Sequence, residues 1–133
     1  MGFFDFFKSK PSNGNFVSEA SFNKNKALQI RTNLQTIKQL RKYDVTNDTE
    51  RKLEYFFYTN TAEKAEQLAT EIEKLNYSVK HGVSASDKNI FVVSGWTTQM
   101  KMSEEIINHW TNQMCELGFK FDCDFDGWGT DTD

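Results

Sequence analysis

The residues closest to a recognisable chemical motif are carboxylates near the end of the sequence. Asp122, Asp124 and Asp126 are spaced two apart, Gly127 follows, and Asp133 falls at the twelfth position. This is the Asp-x-Asp-x-Asp-Gly pattern with which a calcium-binding EF-hand loop begins. Such a loop lies between two helices, whereas the residues here alternate as they do in a strand. We therefore expect an acidic strand face that binds no metal.

The stretch 119–126 predicts the strand that carries these carboxylates. Its apolar residues alternate with charged ones, which is typical of a strand with one buried and one solvated face. The apolar positions are Phe119, Phe121, Cys123 and Phe125. Trp128 follows between Gly127 and Gly129, which predicts a structural turn at the glycines and an indole on the surface. The alternative is that Trp128 is buried and only anchors the end of the chain.

No catalytic arrangement stands out in the rest of the sequence. Cys115 and Cys123 lie eight residues apart without a Cys-x-x-Cys spacing, and neither His81 nor His109 has a partner at ligand spacing. There is also no Ser-His-Asp order and no glycine-rich phosphate loop. We expect no catalytic residue and no cofactor, and two reduced cysteines fit a cytoplasmic protein.

Length and charge indicate one small folded domain. The sequence has 133 residues and a net charge of −3, so no overall basic field attracts nucleic acid or anionic lipid. No run of about twenty apolar residues is present that could span a bilayer. Residues 1–25 are predicted to be an aromatic arm and linker, with the folded domain at 26–133. The aromatic residues of the arm are Phe3, Phe4, Phe6 and Phe7. They could anchor the chain to a membrane surface or partner, extend the core, or form a flexible tail.

Hydrophobic periodicity predicts a leading helix and then the order β-α-β-β-α-β. The leading helix is expected at 26–42, with an apolar stripe formed by Ala27, Ile30, Leu34, Ile37 and Leu40. The next elements are strand 51–59, helix 62–75, strand 77–83, strand 90–93, a helix capped by Ser103 and ended by Gly118, and strand 119–126. The first and third strands are apolar on both faces, which favours central positions in a sheet. The second and fourth are polar on one face, which favours its edges.

This order of elements predicts an α+β protein with a ferredoxin-like split β-α-β sandwich. The four-stranded antiparallel sheet would have the strand order 4-1-3-2, with two helices on one face and the leading helix as an addition. The other face would stay open unless the leading helix or the N-terminal aromatic residues cover it.

Two short motifs add a family resemblance. Asp126-Gly127-Trp128-Gly129-Thr130 ends the last strand, and Leu117-Gly118-Phe119 closes the helix before it. In these positions the chain resembles the regulator of ribonuclease activity B family of ribonuclease E inhibitors, over roughly 26–133. The resemblance implies a ferredoxin-like fold and a protein that binds the ribonuclease and restrains its endonuclease activity. The chain differs from the family in its aromatic N-terminal arm and in stopping soon after Thr130, where family members carry a long acidic tail.

The sequence as a whole therefore indicates a protein-binding regulator rather than an enzyme. The candidate partner-binding residues are Asp122, Asp124, Asp126 and Trp128, because carboxylates attract Arg and Lys and a half-exposed Trp supplies binding energy. The resemblance implies a ribonuclease E-like endoribonuclease as the partner, masked from RNA. The alternatives are an RNA-binding ferredoxin-like module or a scaffold domain without a ribonuclease partner. We expect no direct nucleic-acid binding, because the third strand lacks the aromatic RNA-binding signature and the carboxylates repel phosphate.

Overall fold

A computed structural model of the chain describes residues 15–132, and within them the chain forms three helices and six strands. The helices are α1 (Glu19–Arg41), α2 (Ala62–Glu73) and α3 (Glu104–Lys120). The strands are β1 (Glu50–Arg51), β2 (Leu53–Thr59), β3 (Ser78–Val83), β4 (Phe91–Trp96), β5 (Met100–Lys101) and β6 (Asp124–Thr130). None of the three helices is long and apolar enough to cross a membrane. The predicted arm residues Phe3–Phe7 lie outside the described residues.

The strands form two antiparallel sheets, which confirms the predicted α+β class. The larger sheet has the order β3-β4-β2-β6, so β2 and β4 lie in its centre and β3 and β6 at its edges. The smaller sheet pairs β1 with β5, and the sequence did not predict it. Strands of two residues are too short to show a period in the sequence.

The core lies between the larger sheet and helices α2 and α3. Alternate residues of β2 are fully buried on the side that faces these helices, namely Leu53, Tyr55, Phe57 and Thr59. The helices contribute Leu68 and Ile72 from α2 and Ile107 and Met114 from α3. Ser103 caps α3 as predicted, because its side chain accepts a hydrogen bond from the Ile106 N–H.

Helix α1 begins earlier than the sequence predicts. Its first residue is Glu19, not residue 26, because Ser18 caps the helix by accepting a hydrogen bond from the Ser21 N–H at 3.1 Å. Residues 19–25, which were assigned to the linker, are therefore helical and belong to the folded part of the chain.

The buried side of α1 also differs from the predicted apolar stripe. Ile37 and Leu40 are buried as expected, but Leu34 is 41% exposed and Ala27 is exposed as well. Asn33, a polar residue, is 1% exposed and occupies the middle of the contact with α3. The interface between α1 and the rest of the fold is thus partly polar, and this explains why hydrophobic periodicity misplaces it.

The predicted strand 119–126 is wrong in its first half. Helix α3 continues to Lys120, and β6 begins only at Asp124. Both Phe119 and Phe121 are half-buried around the end of the helix, so they alternate in sequence without belonging to a strand.

Asp122, rather than Gly118, provides the left-handed residue that ends α3. Its φ is +60°, and its N–H donates to the Phe119 carbonyl oxygen at 3.1 Å. The Cys123 N–H donates to the Gly118 carbonyl oxygen at 2.8 Å, which completes a Schellman motif. Aspartate tolerates this conformation better than most residues, because its short polar side chain can form local hydrogen bonds.

Candidate functional site

Asp122 lies in an internal network at the junction between α3 and β6. Its two carboxylate oxygens accept hydrogen bonds from the backbone N–H groups of Phe16 and Val17, at 2.7 and 2.8 Å. The Lys64 ammonium group lies 2.6 Å from one of these oxygens, and the Asp122 side chain is only 18% exposed. These contacts attach the residues just before α1 and the first turn of α2 to the junction between α3 and β6. The carboxylate already has charged and backbone partners within the chain.

Asp124 is also turned toward the protein. Its carboxylate accepts a hydrogen bond from Asn25 Nδ2 at 3.3 Å. Burial, and to a lesser degree the nearby Asp126 carboxylate, together raise the pKa of Asp124 to about 6. Asp126 is exposed on the surface, although partial desolvation raises its pKa as well. Of the three aspartates, Asp126 is therefore the one most accessible to another molecule.

Trp128 is half-buried and joins the last strand to the first helix. Its indole Nε1 donates a hydrogen bond to Asn33 Oδ1 at 2.8 Å. The Asn33 amide nitrogen in turn donates to Asn108 Oδ1 and Thr111 Oγ1, both at 2.9 Å and both on α3. The indole nitrogen thus completes a polar network at the centre of the α1–α3 contact, while the rest of the ring remains partly accessible.

Side chains of α1 cover the outer edge of β6. Asn25 Nδ2 donates to the Phe125 carbonyl oxygen at 2.7 Å, and Gln29 Nε2 donates to the same oxygen at 3.4 Å. An edge strand otherwise presents unpaired backbone groups to which another strand can add. Helix α1 protects this edge, so a partner at β6 is expected to meet side chains rather than an open backbone.

A groove runs between α1 and β6 and encloses about 450 Å³. Its lining residues define what we call the α1–β6 groove: Asn25, Leu28, Gln29, Thr32, Asn33, Thr36, Phe56, Asp126, Gly127 and Trp128. Leu28 is 47% exposed, and the groove combines this apolar side chain with two aromatic rings and one carboxylate. Two of the four candidate partner-binding residues, Asp126 and Trp128, line the groove, whereas Asp122 and Asp124 do not.

Hydrophobic periodicity does not predict the α1 residues of this groove. Neither Leu28 nor Gln29 belongs to the predicted apolar stripe of the helix. The side of α1 that faces β6 can be identified only once Asn33 is known to be buried. Leu28 and Gln29 lie five and four residues before Asn33 on the same helix, and all three line the groove. A buried asparagine is the feature that hydrophobic periodicity does not detect.

The glycines beside Trp128 lie inside β6 and not in the predicted turn. Gly127 has a φ of +131°, which L side chains rarely adopt, and it lies where the pairing between β6 and β2 shifts register. A side chain at Gly129 would meet no atom within 4 Å, and its backbone needs no positive φ. Gly127 is therefore required by the backbone, and Gly129 is not.

The described residues do not assemble a metal site from the acidic motif. Within residues 15–132, no group of three or more His, Cys, Asp or Glu side chains is placed to hold an ion. The cysteines are buried, and burial raises the pKa of Cys115 to about 12 and that of Cys123 to about 11. Both thiols are thus protonated and unreactive at neutral pH.

Comparison with known proteins identifies the family to which most of the chain can be matched. No match was found among curated proteins. The family model described as regulator of ribonuclease activity B matches residues 31–130, which include β6 and most of the α1–β6 groove. That family is regulatory rather than catalytic, and its description implies interaction with a ribonuclease. The chain belongs to the regulator of ribonuclease activity B family.

Proposed function

We propose that this protein binds a ribonuclease and lowers its activity by masking it, without chemistry of its own. The observation that carries the proposal is the α1–β6 groove, in which the rings of Phe56 and Trp128 and the Asp126 carboxylate lie together on the part of the chain that matches the family, with Leu28 just before that part. Such a combination suits recognition of another protein better than it suits catalysis.

The chemistry of the groove favours an extended basic segment as its ligand. Leu28 and the rings of Phe56 and Trp128 offer apolar contacts, and Asp126 offers a carboxylate at the rim. An arginine or lysine of the partner can pair with Asp126 while a neighbouring apolar side chain enters the groove. Ribonucleases of the E type are the partner class that the family resemblance suggests, and their RNA-binding segments must be basic to attract phosphate. A regulator that covers such a segment competes directly with RNA.

We also infer that the larger sheet and its helices form a ferredoxin-like sandwich. The support is the alternation of central and edge strands in the order β3-β4-β2-β6, with α2 and α3 supplying the core on one side of the sheet. In this arrangement α1 is an addition to the common fold, so the groove that it forms with β6 is an added surface.

The proposal is tested by measuring cleavage of a fluorescent RNA by the purified host ribonuclease as this protein is added. We expect the cleavage rate to fall in proportion to the bound fraction, and a Leu28→Lys variant to require at least about ten times more protein for the same effect. Leu34→Lys is the matched control, because Leu34 is on the same helix and 41% exposed but does not line the groove. If cleavage is unaffected at saturating protein, or if the RNA itself binds this protein, masking of the enzyme is ruled out.

A further inference from the structure

The two edges of the larger sheet differ in how far their backbone is covered. Side chains of α1 lie over the β6 edge and donate hydrogen bonds to its Phe125 carbonyl oxygen. The other edge is β3, and within residues 15–132 its only hydrogen-bonded neighbour is β4. The residues of β3 from Lys80 to Val83 are all exposed, and the apolar side chain of Val83 is 58% exposed. An uncovered edge of this kind can pair with another strand.

Every second residue of β3 directs its backbone groups away from β4. The Ser84 N–H donates to the Ile90 carbonyl oxygen at 2.7 Å, so the backbone of Ser84 points toward β4. Backbone groups alternate in direction along a strand, and those of Gly82 and Lys80 therefore also point toward β4. The three residues whose N–H and carbonyl groups point to the open side are Val79, His81 and Val83.

The sequence of β3 is complementary to itself in one register. When two copies of β3 run antiparallel about a two-fold axis at His81, the residues with open backbone groups meet in pairs. Each of these pairs exchanges two backbone hydrogen bonds. Val79 then lies opposite Val83 of the second copy, which brings apolar side chains together on the helix side of the sheet. His81 lies opposite its own counterpart between these two apolar pairs.

The face of the sheet that points away from the helices also fits this register. On that face Lys80 lies opposite Gly82 of the second copy. Gly82 is not required by its own chain, because an added Cβ would meet no atom within 4 Å and its φ is not in the left-handed region. A glycine within a strand often marks the close approach of another backbone, and here it leaves space for the long Lys80 side chain.

The neighbouring registers are less favourable. Moving the two-fold axis from His81 to Lys80 would place the two Lys80 side chains directly opposite each other, and like charges in that position are destabilising. Moving the axis to Gly82 would leave Val79 without a partner in β3 of the second copy. The register centred on His81 is therefore the one in which the whole strand pairs without opposing like charges on the face that carries Lys80.

We propose that two copies of this chain pair through β3 and form a dimer. The pairing joins two four-stranded sheets into one continuous sheet, with the helices of both copies on the same side. The α1–β6 groove lies at the opposite edge of each sheet, so the dimer carries two open grooves. The contact is one strand wide, and the dimer is therefore weak and reversible. This inference goes beyond masking of a ribonuclease and does not depend on it.

The dissociation constant of the dimer, measured by analytical ultracentrifugation of the full chain, tests the pairing and its register. Gly82→Lys places an ammonium group opposite Lys80 of the second copy, twice per dimer, and should raise the dissociation constant at least about threefold. Gly82→Glu places a carboxylate at the same point and should lower it at least about twofold. Both side chains extend into space that their own chain leaves open, so both variants should fold, as circular dichroism will show.

A second substitution and a control make the test specific to this register. Adding Lys80→Glu to Gly82→Lys restores opposite charges across the axis and should bring the dissociation constant back toward that of the unaltered protein. Gln35→Lys is the matched control, because it adds the same charge at an exposed residue of α1, along the opposite edge of the sheet. Hydrogen exchange locates the contact, since the amides of Val79, His81 and Val83 should exchange more slowly as the protein concentration rises.

Three results would overturn the proposal. The first is a protein that remains monomeric up to about 1 mM. The second is a dimer whose dissociation constant changes equally with Gly82→Lys and Gly82→Glu, since that contradicts the pairing with Lys80. The third is slower exchange of the β3 amides only when the host ribonuclease is added, since that assigns this edge to the ribonuclease. The cleavage assay with Leu28→Lys tests masking at the other edge, so the failure of one proposal is distinguishable from the failure of the other.

Discussion

Trp128 and Asn33 are joined by a hydrogen bond of 2.8 Å from the indole nitrogen to the buried amide oxygen. The two residues are 95 positions apart, so this bond links the last strand to the first helix. It gives Trp128 a structural role in addition to its place in the α1–β6 groove, and the two roles can be separated by substitution.

Replacing Trp128 with phenylalanine should lower the free energy of unfolding by about 1–3 kcal/mol. Phenylalanine keeps an aromatic ring in place but leaves Asn33 Oδ1 without its donor, and Asn33 is 1% exposed. Urea denaturation measures the change. Trp96→Phe is the control, since Trp96 lies outside the core, and it should change stability by less than about 1 kcal/mol. Equal effects of the two substitutions would contradict the role assigned to the Asn33 bond.

Replacing Asp122 with asparagine should cost about 2–3 kcal/mol of stability. Asparagine tolerates the left-handed conformation, but it has one acceptor oxygen in place of two and no charge for Lys64. Asp48→Asn is the matched control, because Asp48 is 92% exposed and lies 3.8 Å from Lys101. That surface pair should contribute less than about 0.5 kcal/mol. The account of Asp122 fails if thermal unfolding of the two variants is indistinguishable.

Alanine should be tolerated at Gly129 and not at Gly127. The φ of +131° at Gly127 is strained for any L side chain, which costs roughly 1–3 kcal/mol. At Gly129 the added methyl group meets no atom within 4 Å, so stability should stay within about 0.5 kcal/mol. Denaturant midpoints of the two variants provide the comparison, and a larger loss at Gly129 would show that its backbone is misassigned.

The stability contributed by Asp124 should fall as the pH rises from about 4 to about 6. The folded-state pKa is raised to about 6, whereas an unfolded aspartate has a pKa of about 3.9, so the folded protein binds the extra proton between these values. Asp124→Asn removes this penalty and should stabilise the protein at pH 7.5 by about 1 kcal/mol, a value discounted because the carboxylate is only partly buried. The gain should vanish near pH 4. A gain of equal size at both pH values would exclude titration as its cause.

The parts of the fold that follow from hydrophobic patterning were predictable from the sequence. The apolar alternation of β2 and the residues Leu68 and Ile72 of α2 lie in the core where their spacing predicts. The end of α3 was not predictable in this way, because Phe119 and Phe121 keep the apolar pattern of a strand while the backbone is helical or turning. The left-handed conformation of Asp122, with a φ of +60°, ends the helix before the strand begins. An aspartate in a sequence indicates this conformation much less strongly than a glycine does.

The candidate site was predictable only in part for a related reason. The exposed Asp126 and half-buried Trp128 lie in the α1–β6 groove, but Asp122 and Asp124 have internal partners that sequence spacing does not reveal. Alternate residues of a strand lie on the same face of the sheet. This alternation does not apply to Asp122, because Asp122 precedes β6. The α1 wall of the groove depends on a polar contact through Asn33, which has no hydrophobic signature.

The most direct test of the central claim is the affinity of this protein for the purified host ribonuclease, measured by isothermal titration calorimetry. We predict that Leu28→Lys and Asp126→Lys each weaken binding at least about tenfold, while Leu34→Lys binds like the unaltered protein. Unchanged affinity of both groove variants, with circular dichroism showing that they are folded, would contradict the claim that the α1–β6 groove is the surface that holds the ribonuclease.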